Sequence, residues 1–384
     1  MKIIHIILGK ANPDRMNGVN KVVNSLATAQ AHLNYQAEVW GITHSLEKNY
    51  PGRNYTTRLF QAHKNKWRLD HKLIEAIQNV KDAVFHIHGG FIPEFFHVAR
   101  YLTTFGKAFI YTPHGAYNAK AMRRNKWIKK VYFQLFEKYI SSHSYAVHSI
   151  GLSEELNIQK LVPGAKTVLI PNGQHTQDLV FEASILKKNS TPVFGFIGRI
   201  DIETKGLDLL LEAFAIFLSK NQRKGELWII GGGGEMDKLK QMAQKLEIMP
   251  SVVFWNQQFG PSKLNIMSQA DAFFQPSRNE GLPGSVLEAC GLGVPCVVSK
   301  ESNMAGYIHQ HQAGIGMECN DVQHISNAMK VIRDKVEDQS ILQWKRNAVQ
   351  MVESEFDWGH ISRSLMEVYQ SAVYRTYSHA SSII

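Results

Sequence analysis

Cysteine is scarce in this 384-residue chain: Cys290, Cys296 and Cys319 are the only three, and none stands in a CxxC pair. So sparse and odd a count offers no disulfide framework and no thiolate metal cluster, and it fits a reducing compartment. Long apolar runs are missing as well. No stretch of about 18 apolar residues occurs, so no membrane-spanning helix is expected. The apolar start, Met1 to Gly9, is short, is interrupted by His5 and is followed by no small-residue cleavage site; it reads as a buried first strand rather than a signal peptide. The chain also lacks a Gly-x-Ser-x-Gly elbow, a Gly-x4-Gly-Lys-Ser/Thr loop and a His-Glu-x-x-His pair. That weighs against serine hydrolases, P-loop enzymes and zinc proteases.

Acidic residues are the last shortage, and it is local. The 43 Lys+Arg outnumber the 33 Asp+Glu, for a net charge of +10. Residues 1–172 carry 23 basic and 10 acidic side chains, net +13, whereas residues 173–384 carry 20 and 23, net −3. The first half is therefore expected to meet something anionic. With 44% hydrophobic and 20% charged residues the chain is globular, which excludes disordered, collagenous and coiled-coil classes. Its length suggests two domains.

Short apolar runs alternate with amphipathic segments throughout. Strands are expected at Lys2–Leu8, Glu38–Ile42, Ala83–His88, Ala108–Thr112, Ser144–His148 and Thr167–Ile170, then at Val193–Ile197, Glu226–Ile230, Ser251–Trp255, Ala272–Gln275 and Cys296–Ser299. Near-continuous apolar strands separated by helices indicate parallel sheets covered on both faces. The alternation closes at Pro171-Asn172-Gly173 and restarts at Val193 after a polar stretch. Two doubly wound α/β domains of similar size follow, joined near residues 173–191. Ligands of such sheets bind beyond the carboxyl ends of the strands, so the loops there carry the functional information.

Five of those loops stand out. Glu280-Gly281-Leu282-Pro283-Gly284-Ser285-Val286-Leu287-Glu288 leads from a strand into a helix. Its backbone amides can form an anion site, and its carboxylates suit vicinal hydroxyls; an ordinary capped helix with an exposed Glu is the alternative. Gly198-Arg199 with Lys205-Gly206 places two cations six apart after a strand, able to converge on one diphosphate or simply solvated. Gly231-Gly232-Gly233-Gly234 fails the dinucleotide pattern because Met236 replaces its third glycine, and it reads as a close backbone approach to a phosphate or sugar. In the first half, Gly18-Val19 opens a helix after the first strand, and His114-Gly115 follows Thr112-Pro113.

Taken together and in order, Gly18-Val19, His86-Ile87-His88-Gly89, Thr112-Pro113-His114-Gly115, Ile170-Pro171-Asn172-Gly173, Gly198-Arg199 with Lys205-Gly206, the Gly231–Gly234 loop and the E-x7-E pair Glu280/Glu288 resemble glycosyltransferase family 4. The resemblance covers nearly the whole chain. It implies a GT-B fold, two Rossmann-like domains facing across a cleft, at 1–172 plus a returning C-terminal helix 365–384 and at 173–364, and a retaining transferase that needs neither metal nor cofactor and takes a UDP- or GDP-sugar as substrate. It further implies a catalytic set of His114, Arg199, Lys205 and Glu280. Arg199 and Lys205 would hold the diphosphate, Glu288 the ribose and Glu280 the sugar. The amides of Gly281, Leu282, Pro283 and Gly284 would complete the cradle. Gly18, Gly232 and Asn256 would border the donor, with Gly18 also near the acceptor. His88, the last histidine of its strand, is placed on the acceptor side.

From Lys120 to Lys130 six of eleven residues are basic, among them Arg123, Arg124, Lys129 and Lys130. At 100° per residue Ile128, Tyr132, Leu135 and Tyr139 share one face. This segment is either a core-packed helix with a charged outer face or a contact for anionic lipid; no nucleic-acid module accompanies it. The expected protein is a sugar transferase acting on a glycan or lipid-linked glycan at the inner face of the cytoplasmic membrane. A nucleotide-sugar epimerase or hydrolase and a non-catalytic nucleotide-sugar sensor are the alternatives.

Overall fold

The computed structural model describes residues 1–13, 18–123, 125–174 and 191–381. The chain divides into two α/β units, Met1–Gly173 with Trp358–Ile384 and Gln174–Asp357. The return to the first unit thus begins at Trp358, seven residues before the expected 365, and the first stretch ends at Gly173 rather than 172. The reason is one unbroken helix, Trp358–Ser381, whose Trp358, Ile361, Leu365, Tyr369 and Ala372 pack with Ile3, Val84, Ala108 and Ile110. Asn17, Arg124 and most of the expected linker, 175–190, lie outside the described residues.

The first unit carries seven strands: β1 (Lys2–Leu8), β2 (Gln36–Thr43), β3 (Thr56–Gln61), β4 (Ala83–His88), β5 (Ala108–Thr112), β6 (Ala146–Ser149) and β7 (Thr167–Leu169). They lie in the order β3-β2-β1-β4-β5-β6-β7, every pair parallel. The second unit carries β8 (Val193–Ile197), β9 (Glu226–Ile230), β10 (Val252–Trp255), β11 (Ala272–Gln275), β12 (Cys296–Ser299) and β13 (Gly314–Met317). Their order is β10-β9-β8-β11-β12-β13, again all parallel.

Central strands are buried on both faces, which is why they read as continuous apolar runs. In β8, Phe194 and Phe196 join Leu210, Phe214 and Leu227 in one cluster, while Val193 and Ile197 join Ile266, Val286 and Val298 in another, so alternate side chains serve opposite faces. Each fully buried Phe stabilises the unit by about 1.5–3 kcal/mol. Strand order reverses between β1 and β4 in the first unit and between β8 and β11 in the second. Such switch points open a crevice at the strand carboxyl ends, where a ligand can lie against backbone amides.

Candidate active site

At the β8/β11 switch point the residues after each strand meet. After β8, Asp201 caps the short helix Ile202–Lys205, accepting from the Thr204 amide at 3.0 Å. Gly206 ends that helix at φ 67°, and a Cβ there would lie 2.0 Å from the Pro276 carbonyl oxygen, which emerges from β11. The chain therefore turns tightly enough to deliver Lys205 to Glu280: Nζ and Oε1 are 2.5 Å apart, with both side chains mostly buried. Glu280 Oε1 also accepts from Gln275 Nε2 and Ser277 Oγ, each at 2.9 Å. Asn303 Nδ2 donates to the carbonyls of Glu280 and Gly281 at 3.0 and 2.8 Å, which fixes the loop from behind. Arg199 instead pairs with Asp201, Nη2 to Oδ2 3.2 Å, and stays largely exposed. The two cations take different carboxylates here rather than converging on a common partner.

Glu288 sits in the second turn of the helix Gly284–Gly291 and pairs with Lys263 of the helix Gly260–Ser268, Oε2 to Nζ 2.6 Å. Lys263 carried no motif in the sequence; its only signal is a lysine on the helix that feeds β11. Pro283 is the N-cap of the helix Gly284–Gly291, and no side chain caps that terminus. Of the expected cradle, Gly281, Leu282 and Gly284 can donate amides, while Pro283 has none to give. Gly284 is exposed, and a Cβ there would meet nothing within 4 Å.

The glycine run after β9 has a different purpose from the one its composition suggested. A Cβ on Gly231 (φ 152°) would lie 1.9 Å from the Gly198 carbonyl oxygen, and one on Gly233 would lie 2.5 Å from that of Ile200. The Ile200 amide donates to the Gly232 carbonyl at 3.0 Å. Gly231 and Gly233 therefore approach the protein's own β8 loop, not a phosphate or sugar. A Cβ on Gly232 would lie 3.7 Å from that of Gln257, beside the exposed Asn256 that follows β10. Gly231→Ala should cost about 2–4 kcal/mol through overlap and positive φ, and lower Tm by roughly 5–15 °C. Gly234→Ala, with nothing within 4 Å, should leave Tm within about a degree. Thermal unfolding of the two variants, with an unchanged Tm for Gly231→Ala, would remove this explanation of the loop.

In the first unit, histidines from β1, β4, β6 and the β5 loop form two hydrogen-bonded chains. His5 Nε2 meets Gln30 Oε1 at 2.8 Å, His5 Nδ1 meets His88 Nε2 at 2.9 Å, and His88 Nδ1 meets His114 Nε2 at 3.0 Å. In the second, His86 joins Tyr369 Oη (2.7 Å) to Thr112 Oγ1 (2.6 Å), and His148 joins that hydroxyl (2.8 Å) to the Ile170 carbonyl (2.7 Å). Burial disfavours the imidazolium throughout, lowering His5 and His148 to about 4 and His114 to about 3, and taking His86 and His88 well below the usual value. His88 is thus corrected from an acceptor-side residue to an interior one: both ring nitrogens are spent inside the sheet, one of them on His114. Only His114, in the left-handed region at φ 54°, is partly exposed. His5, His86 and His88 lie close enough to share a metal ion, but all six of their ring nitrogens are hydrogen-bonded. The exposed trio Cys319, Asp321 and His324 is likewise accounted for, since Asp321 caps the helix Val322–Glu337 and holds His324 Nδ1 at 2.9 Å.

The basic segment does not pack as its periodicity suggested. The helix Lys126–Tyr132 buries no side chain. Trp127, Ile128, Val131 and Leu135 are exposed by 73, 72, 58 and 60%. A π-turn over Phe133–Glu137 rephases the helix, so that Phe133, Glu137 and Ile140 turn inward while Ile128 and Leu135 turn outward. The Glu137 carboxylate anchors that turn, accepting from Tyr111 Oη (2.6 Å), Tyr117 Oη and the Phe91 amide (2.9 Å). Arg123, Lys126 and Lys130 are exposed beside the apolar stripe, whereas Lys129 turns inward to donate to the Ala121 carbonyl at 2.7 Å.

Two all-parallel Rossmann-like units, each with its reversal of strand order, make this a GT-B fold. It is similar over 97% of the chain to sucrose-phosphate synthase from Thermosynechococcus elongatus (TM-score 0.74, 18% identity, 99% of that structure). It is also similar to HepE of Anabaena in complex with UDP (TM-score 0.73, 16% identity, 97% of this chain and 100% of that one). Residues 16–178 match the model described as Glycosyltransferase Family 4, and residues 180–350 the model described as Glycosyl transferases group 1. The chain belongs to glycosyltransferase family 4. An Escherichia coli relative, UDP-Gal:alpha-D-GlcNAc-diphosphoundecaprenol alpha-1,3-galactosyltransferase, is 29% identical over 244 residues, 59% of this chain and 60% of that protein. The match therefore leaves about two-fifths of that relative's length uncovered.

Proposed function

We propose that this protein transfers a sugar, with retention of anomeric configuration and without a metal or cofactor, from a UDP- or GDP-sugar to a hydroxyl of a cell-surface glycan or lipid-linked glycan precursor. The observation that carries this is the pair of ion pairs at the β8/β11 switch point, Lys205 with Glu280 and Lys263 with Glu288. An ammonium has three donors, so Lys205 can keep one on Glu280 and turn others to a phosphate oxygen. Departure of the sugar builds negative charge on the β-phosphate. Lys205, Arg199 and the uncapped amides at Gly284 and Ser285 are donors suited to that charge. The acceptor hydroxyl attacks from the face the diphosphate leaves and gives its proton to the departing phosphate oxygen. Glu288 takes the ribose, Glu280 the sugar hydroxyls, and His114 a further hydroxyl of the donor sugar. Gly18, exposed at the start of its helix with nothing within 4 Å of a Cβ, leaves room for diphosphate and acceptor.

Two neighbours support the substrate classes: HepE was solved with UDP, and the name of the E. coli relative specifies UDP-galactose and a diphosphoundecaprenol-linked sugar. No described helix is long and apolar enough to cross a membrane. We assign the protein a peripheral place at the inner face of the cytoplasmic membrane, held by the exposed stripe beside Arg123, Lys126 and Lys130.

Calorimetric titration tests the division of labour. Glu288→Ala should weaken the free nucleoside diphosphate about tenfold, the cost of a hydrogen-bonded charge; Glu280→Ala should spare it and weaken mainly the intact donor. Equal losses for both ligands in both variants would reject the assignment. Product analysis with and without a glycan acceptor tests the reaction itself. Sugar release or epimerisation that ignores the acceptor would replace transfer with hydrolysis or epimerisation, and binding without turnover would leave a sensor.

A further inference from the structure

The two histidine chains of the first unit have a direction, and it can be derived. A backbone carbonyl only accepts hydrogen bonds. At the Ile170 end His148 must therefore donate through Nε2–H, which leaves its Nδ1 as acceptor for the Thr112 hydroxyl. Having donated, Thr112 Oγ1 must accept from His86 Nε2–H, and His86 Nδ1 must accept from the Tyr369 hydroxyl. The Tyr369 oxygen is then left with lone pairs only. The second chain is ordered from its own end: Gln30 turns Oε1 to His5 Nε2 at 2.8 Å, and an amide oxygen only accepts, while the Gln30 amide nitrogen is buried with no hydrogen-bond partner. His5 then donates through Nε2 and accepts at Nδ1 from His88 Nε2–H, and His88 accepts at Nδ1 from His114 Nε2–H.

We propose that the Gln30 side-chain oxygen, acting through His5 and His88, fixes His114 as the Nε2–H tautomer, so that its Nδ1 offers a lone pair to a substrate hydroxyl. Gln30, fully buried on the helix Gly18–His32, is a positioning residue that touches no substrate. The ligand chemistry follows: Nδ1 accepts from an O–H and cannot donate to a phosphate oxygen. Nor do the chains relay protons, because they end on a carbonyl that cannot hand one on. The functional half of this inference rests on the reading that His114 meets the donor sugar; the tautomer does not.

Long-range proton–nitrogen correlation NMR on the full chain with nitrogen-15 histidine tests the inference. His5, His86, His88, His114 and His148 should all carry their proton on Nε2, and His114 should remain neutral down to about pH 5. Gln30→Leu should turn His114 into a mixture of tautomers and lower kcat about tenfold, the equivalent of one neutral hydrogen bond, with diphosphate affinity unchanged. Gln30→Glu keeps an acceptor toward His5 and should restore the single tautomer. Should Gln30→Leu not fold, His5→Leu removes the acceptor that orders His88 and should also mix the tautomers. A His114 protonated on Nδ1 in the parent, or wholly Nε2–H in whichever of Gln30→Leu and His5→Leu folds, overturns the proposal. Unaltered turnover in His114→Ala would instead reject the sugar contact while leaving the tautomer assignment to the spectra.

Discussion

Lys205→Ala should lower kcat by a factor on the order of 10²–10³, the usual loss when one donor to transition-state charge is removed. The side chain is held rather than free. It lies at the end of the capped helix Ile202–Lys205 and is pinned to Glu280, so little is lost to ordering it when the β-phosphate acquires charge. Because the contact strengthens as the bond breaks, KM for the donor should move much less than kcat. Removing the ammonium also leaves Glu280 with Gln275 and Ser277 as donors, so destabilisation stays on the order of 1–3 kcal/mol and the variant folds. Arg199→Ala should fold equally well and lose less activity, since that guanidinium is 65% exposed and its partner Asp201 is a surface carboxylate. Steady-state kinetics beside thermal unfolding decides the matter. Near-parental kcat in a folded Lys205→Ala protein would take the diphosphate assignment away from this residue.

What could be read in the sequence follows from what each strand touches. Central strands such as β1, β4 and β8 are almost wholly buried and mostly apolar, histidines aside, and their boundaries fall where those runs end. The edge strands β3 and β13 escaped notice, for different reasons: Thr56–Gln61 is mostly polar on a half-covered edge, with only Leu59 and Phe60 apolar, and Gly314–Met317 is half glycine. The loop motifs at Glu280 and Lys205 were legible because a strand end, a turn residue and a charge fall together within a few positions. Their mutual ion pair was not, since it joins residues 75 apart. The histidines of the interior chains were invisible as a group. A mid-strand histidine looks like any core residue, and only the pairing of His5 opposite His86 on β1 and β4 shows that they stack. The glycines after β9 misled for a related reason, because composition tells that something must come close and not whether it is ligand or backbone.

The outward stripe on the helix Lys126–Tyr132 gives the second large effect. Four big apolar side chains, Trp127, Ile128, Val131 and Leu135, stand in water beside a helix none of whose side chains is fully buried. A soluble surface keeps such contiguous patches small, and a basic rim beside one suits an anionic interface. Replacing Arg123, Lys126 and Lys130 with Ser should weaken binding to anionic vesicles about 100-fold, at about 1 kcal/mol for each cation near the surface. Added salt should reproduce that loss, since the attraction is screened beyond about 8–10 Å. Replacing Trp127, Ile128, Val131 and Leu135 with Ser should weaken binding as strongly but independently of salt, because it removes apolar burial at about 25 cal/mol per Å². Neither set touches the Glu137 anchor or any buried side chain, so Tm should stay within about 2 °C and turnover on a soluble acceptor analogue should persist. Vesicle sedimentation at low and high salt separates the two contributions. If both variants sediment as the parent does, this helix is not the membrane contact; if either loses turnover on the soluble analogue, the stripe belongs to the acceptor site, and the vesicle reading falls with it.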